Sequence, residues 1–243
     1  MDRSYLSDQA VVSASRAFVC VRLLTYESAE EAAVLQSFFR GRDGLENSVF
    51  AILDPSGTKT LTRSGRSPSW AFDDAADMAR SMRKIAKRYP GTENPPTVQL
   101  PWLADVRRGL NAARADSQLL MIVCGSGKKR DALETELARL AWSDAWIGKF
   151  LYARADEETD WNVLEGSEER PPLGVVIVQP GEFGTDGKVL ACFDGTPKAS
   201  DLAAVKAGHV AGPVDTRRLK QKGRRAGIEW KPAIPITDRR GSR

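Results

Sequence analysis

The sequence predicts an α/β protein in which mixed sheets are flanked by helices, arranged as two tandem halves. Three observations carry this. Short, Val-rich apolar runs alternate with longer segments of helical period, as buried strands alternate with the helices that cover them. Each half carries, before its last helix, two β-rich segments joined by turn formers, as a hairpin requires. The stretch Tyr89-Pro-Gly-Thr-Glu-Asn-Pro-Pro, dense in helix breakers, falls between two similar orders of elements.

In the first half, Tyr5 to Ala17 reads as a helix with Leu6, Ala10 and Val11 on one face. Ala17 to Leu24 (AFVCVRLL) reads as a strand covered on both faces. Glu27 to Arg40 follows as a helix, and Ser48 to Leu53 as a strand. Asp54-Pro-Ser-Gly57 is a β-turn, with proline presetting φ at the second position and glycine relieving the end. Thr58 to Arg63 returns as the second hairpin strand. Asp73 to Arg88 closes the half as an amphipathic helix, acidic at its start and basic at its end, which matches the helix dipole.

The second half repeats and extends this order. Asp105 to Arg114 reads as a helix, Gln118 to Val123 as a buried strand, and Lys128 to Ala141 as a helix carrying Leu133, Leu137 and Leu140. Gly148 to Ala153 is a strand. Leu173 to Val178 and Lys188 to Phe193 form a hairpin, and Ser200 to Gly208 is a short final helix. The expected boundaries are a first half at 1–90, a linker at 91–101, a second domain at 102–213 and a basic tail at 214–243.

Composition narrows the function classes. With 42% hydrophobic and 28% charged residues the chain is too apolar for global disorder. No stretch approaches the roughly 18 apolar residues that cross a bilayer, and the N-terminus lacks a basic-then-apolar leader, so a cytoplasmic location is expected. The net charge of +4 belongs to the tail. Residues 214–243 hold ten Lys/Arg against three Asp/Glu, an excess larger than that of the whole chain, so the folded body is net acidic.

Three scattered cysteines, Cys20, Cys124 and Cys192, fit neither a secreted disulfide framework nor a Cys-rich zinc site. A single histidine, His209, excludes a multi-histidine metal centre and reads as a cap for the last short helix. No metal and no cofactor are expected.

Two local features resemble the thioredoxin family. Leu6-Ser-Asp-Gln-Ala-Val11, Phe18-Val-Cys-Val-Arg-Leu23 and Phe50-Ala-Ile-Leu-Asp-Pro-Ser-Gly57 are similar, in order, to the turn, strand and hairpin segments of thioredoxin-family proteins. Met1 falls where the methionine after that family's Cys-x-x-Cys falls. The resemblance therefore implies that the first half is incomplete, its redox motif either lost or upstream of residue 1. The second feature is Cys124-Gly-Ser-Gly-Lys128, which resembles Cys-Gly-Pro-Cys-Lys with the second cysteine replaced by Gly127. Neither half carries a complete Cys-x-x-Cys.

The resemblance implies a thiol–disulfide oxidoreductase acting on protein or small-molecule disulfides, either through a Cys-x-x-Cys upstream of residue 1 or through a single thiol, with Cys124 as nucleophile and Pro172 lining the site. The helix start at Gly125, Ser126, Gly127 and Lys128 is then expected to stabilise the thiolate, because unpaired backbone N–H groups lower a thiol pKa. The alternative is a redox-inactive thioredoxin-like module that binds a protein partner, aided by the basic tail. Gly125-Ser-Gly-Lys128 is not a Walker loop, since Ile122 stands where its first glycine is needed. Nucleic acid is not among the expected partners, because Thr216 to Arg225 lacks interleaved aromatics, and no membrane partner is expected.

Overall fold

The computed structural model describes residues 2–39, 41, 44–46, 49–91, 99–208 and 214–237. The chain divides into two compact units, Met1–Asn94 with Trp230–Arg243, and Pro95–Glu229.

The first unit contains a π-helical turn at Asp2–Leu6 and the helices α1 (Gln9–Ser15), α2 (Ala29–Phe38) and α3 (Ala75–Ala86). Two of these start at aspartate caps: the Asp8 carboxylate accepts from the Ala10 and Val11 N–H groups, and that of Asp74 from Asp77 N–H at 2.7 Å. Val11 and Ala14 of α1 pack with Met78, Met82 and Ile85 of α3, and Ile52 and Phe72 complete the cluster. A second cluster joins Tyr26, Ala32, Leu35 and Leu45. Ile234 N–H donates to the Tyr26 carbonyl at 2.9 Å, and the Thr237 hydroxyl donates to the Leu45 carbonyl at 2.7 Å. The segment from Trp230 onward therefore belongs with this unit.

The hairpin around Asp54 is present as isolated bridges, Phe50 with Gly65 and Leu53 with Thr60. Its turn is closed by Gly57 N–H donating to the Asp54 carbonyl, with Gly57 at φ +71°, a value that favours glycine. The Asp54 carboxylate accepts from Lys59 N–H, the Ser56 hydroxyl and Thr58 N–H, which holds its pKa below the ordinary value.

Ala17 to Leu24 departs from expectation. Among the described residues it joins no ladder, and Val19 and Val21 are 84% and 72% exposed. A strand needs a neighbour for its N–H and C=O groups, and the described part of this unit pairs backbone only through isolated bridges. The described residues of this unit thus form helices around a short hairpin, and no second copy of the sheeted half is seen among them.

The second unit is built on a six-stranded mixed sheet: β1 (Trp102–Leu103), β2 (Leu119–Cys124), β3 (Phe150–Arg154), β4 (Leu164–Glu165), β5 (Gly174–Pro180) and β6 (Gly187–Asp194), in the order β1-β3-β2-β5-β6-β4. β3 runs parallel to both β1 and β2, β5 is antiparallel to β2 and β6, and β4 is parallel to β6. Helices α4 (Val106–Asp116), α5 (Gly127–Ala141), α6 (Ala199–Ala207) and α7 (Thr216–Arg225) accompany it. The mixed sheet flanked by helices is the α/β architecture the sequence predicts.

β2 is buried at every residue and divides the core in two. Leu119, Met121 and Val123 face Leu133, Leu137 and Ala141 of α5, with Leu202 of α6 on the same side. Leu120, Ile122 and Cys124 join Val106, Leu110 and Ala113 of α4. The period of two along a strand makes this division. Asp105 caps α4 by accepting from Arg108 N–H at 2.6 Å, and Ser117, at φ +54°, ends it.

Candidate functional site

The carboxyl ends of the central strands are where open α/β sheets hold ligands, and the residues singled out in the sequence converge there. Cys124 is the last residue of β2 and pairs in register with Gly174, the first of β5. Gly125 follows at φ +114°, Ser126 is the N-cap of α5, and Gly127 and Lys128 begin the helix. A Cβ on Gly125 would lie 2.6 Å from a Leu173 methyl and 3.6 Å from the Pro172 carbonyl. The structure therefore brings the Cys124–Lys128 turn against the Pro171–Leu173 loop. Pro172 itself is exposed and Pro171 is buried.

Gly174 fixes this junction. A Cβ there would meet the Phe193 carbonyl oxygen at 2.0 Å, so only glycine lets β6 lie this close to β5 at its first residue. Across the same end of the sheet, the Arg154 guanidinium of β3 donates twice to the Glu134 carboxylate of α5, at 2.8 and 2.6 Å. It also lies 4.4 Å above the Trp102 ring of β1. Glu134 thus holds helix and strands together, and its hydrogen bonding to the guanidinium, helped by its charge, raises the Arg154 pKa.

The thiol does not sit as a helix-activated nucleophile must. Cys124 is 3% exposed. It shares the α4-side cluster with Ile122 and Val176, on the opposite face of the sheet from α5. Burial pushes its pKa up to about 11, the neighbouring Cys192 adds to the rise, and Arg170 only partly offsets it. The sequence led to the expectation of a lowered pKa because Cys124 stands two residues before the α5 N-cap. The phase of β2 turns its side chain to the α4 side, away from the N–H groups that open α5.

The other cysteines are also free: Cys20 is exposed and Cys192 half-buried with a raised pKa caused mainly by burial. The sequence names Cys192 only as one of three scattered cysteines and does not single out Arg170; the structure pairs Cys192 in register with Val176, beside the Cys124 cluster. Trp142, Trp146 and Trp161 pack at the margins of the two clusters. His209 lies outside the described residues. Among the described residues no group of three or more His, Cys, Asp or Glu could hold a metal ion, and no helix is long and apolar enough to cross a membrane.

No family model matches the chain, and no curated protein matches it.

Proposed function

We propose that the second unit is a thioredoxin-like domain that has given up thiol chemistry and works by binding a protein partner. The burial of Cys124 on the face away from α5 carries this reading. A thiol with a pKa of about 11 is almost wholly protonated near neutrality, and only the thiolate attacks a disulfide. The β1-β3-β2-β5-β6 order with an antiparallel β5–β6 pair supports the thioredoxin-like part, since it is the order expected of that fold. The exposed turn formed by Ser126, Lys128 and Pro172 is the surface proposed for the partner. Three free cysteines suit a reducing compartment, so the proposal includes a cytoplasmic location.

The test is alkylation of the native protein with iodoacetamide, followed residue by residue by mass spectrometry, alongside a protein-disulfide reductase assay. Cys20 is expected to react first and Cys124 last, with no reductase activity lost in Cys124→Ser. Fast labelling of Cys124 near neutral pH, together with activity that vanishes in Cys124→Ser, would restore the oxidoreductase reading.

A further inference from the structure

The segment that reads in the sequence as a featureless basic tail is folded, in its first part, as helix α7, and the helix sorts its residues into rows. Leu219 and Gly223, one turn apart, are the half-buried and buried members of a covered seam. Arg217, Gln221 and Arg225 form an exposed row on the far side. Lys220 with Arg224 flanks that row on one side, and Arg218 with Lys222 on the other. Six cations within ten residues thus cover an arc of about 200°, by the 100° turn per residue of an α-helix. Among the described residues Arg217, Arg218, Arg224 and Arg225 have no ion-pair partner, while Lys222 pairs with Glu182.

This helix is not one that its own sequence favours. The flanking rows place like charges at i and i+4, which costs about 0.2–0.5 kcal/mol per pair, and Gly223 lies inside it. Asp215 offsets part of this by capping the start, its carboxylate accepting from the Arg217 and Arg218 N–H groups at 3.1 Å. A cationic arc of this breadth is best relieved by an anion with two walls. We propose that α7 enters the major groove of duplex DNA, with the Arg217–Gln221–Arg225 row toward the base edges and the flanking rows toward the phosphates on either side.

The major groove of B-DNA, about 12 Å wide, admits one α-helix and carries phosphates along both rims. The exposed arc has no aromatic side chain on which unpaired bases would stack, and the major groove of duplex RNA is too narrow for a helix. Nor has it an apolar residue to bury in a lipid interface. Arginine predominates, and its planar fork suits phosphate and guanine edges better than lysine does. The inference goes beyond the thioredoxin-like reading and does not depend on Cys124.

Fluorescence polarisation of the full chain with a labelled mixed-sequence DNA duplex of about 20 base pairs tests it. Phosphate contacts from four or five exposed cations predict a log K against log salt slope of about −4, hence a loss of about 10²- to 10³-fold between roughly 50 and 200 mM salt. The double variant Arg217→Gln/Arg225→Gln is expected to bind about tenfold or more weakly, with an unchanged circular dichroism spectrum. The double variant Lys129→Gln/Arg139→Gln, the same charge change on two exposed residues of α5, is expected to bind like the parent. Equal binding by parent and double variant would overturn the proposal. So would absence of binding at the lowest salt, or binding as tight to single-stranded DNA, duplex RNA, polyglutamate or phosphatidylserine vesicles.

Discussion

Replacing Glu134 by glutamine perturbs the junction of α5, β3 and β1 through one charge. The Glu134 side chain is 13% exposed and its carboxylate accepts two hydrogen bonds from Arg154, whose side chain is 43% exposed. Hydrogen bonds to charged groups are worth about 1.5–3 kcal/mol in protected surroundings. The exposure of Arg154 brings the value toward the lower end, because solvent screens the pair. Glutamine keeps one acceptor oxygen and the packing volume, so Glu134→Gln should destabilise by about 1–2 kcal/mol. In urea, with a slope of about 1–3 kcal/mol per molar, that is a fall in midpoint of roughly 0.3–2 M. Tryptophan fluorescence is a suitable probe, because Trp102 lies against the Arg154 guanidinium. A cycle with Arg154→Met should show a coupling of about 1 kcal/mol. A coupling within the roughly 0.3 kcal/mol of additive, independent sites would refute the claim that this pair joins helix to strand.

Gly174→Ala should destabilise the second unit by more than about 2 kcal/mol, since the added methyl meets a backbone carbonyl that cannot rotate away; amide hydrogen exchange should show the first β5–β6 pairs opening before the rest of the sheet. Burial raises the Cys124 pKa from 9.0 to about 11, so the unfolded chain releases this proton at a lower pH than the folded one. Its contribution to stability is complete below about pH 9 and is lost as pH rises toward 11. Urea midpoints measured across that window should fall less steeply in Cys124→Ala than in the parent protein.

Element order in the second unit was legible because each helix carried its own signals. Asp105 before α4 and the leucine repeat of α5 needed no tertiary information. The two-residue strands β1 and β4 left no period to detect, and they exist only because β3 and β6 offer them an edge. The facing of β2 was equally hidden. A strand buried on both sides has no polar alternation, so LLMIVC could not tell which core receives Cys124, and the candidate thiol was read onto the wrong face. Ala17 to Leu24 shows the opposite failure: composition signalled a strand, but pairing depends on a neighbour that composition does not reveal. In α7 the basic residues were legible as charge, whereas their sorting into rows needed the helix.

The hydrogen bonds from Ile234 to Tyr26 and from Thr237 to Leu45 bear on the order in which the chain can fold during synthesis. All six strands of the second unit have been made once Asp194 is added, so its sheet can form while the ribosome is still at work. The first unit must wait for Ile234 and Thr237 before its cluster around Tyr26 is tied down. The Tyr26 cluster, which precedes the sheet in sequence, is therefore tied down only after the sheet has been made.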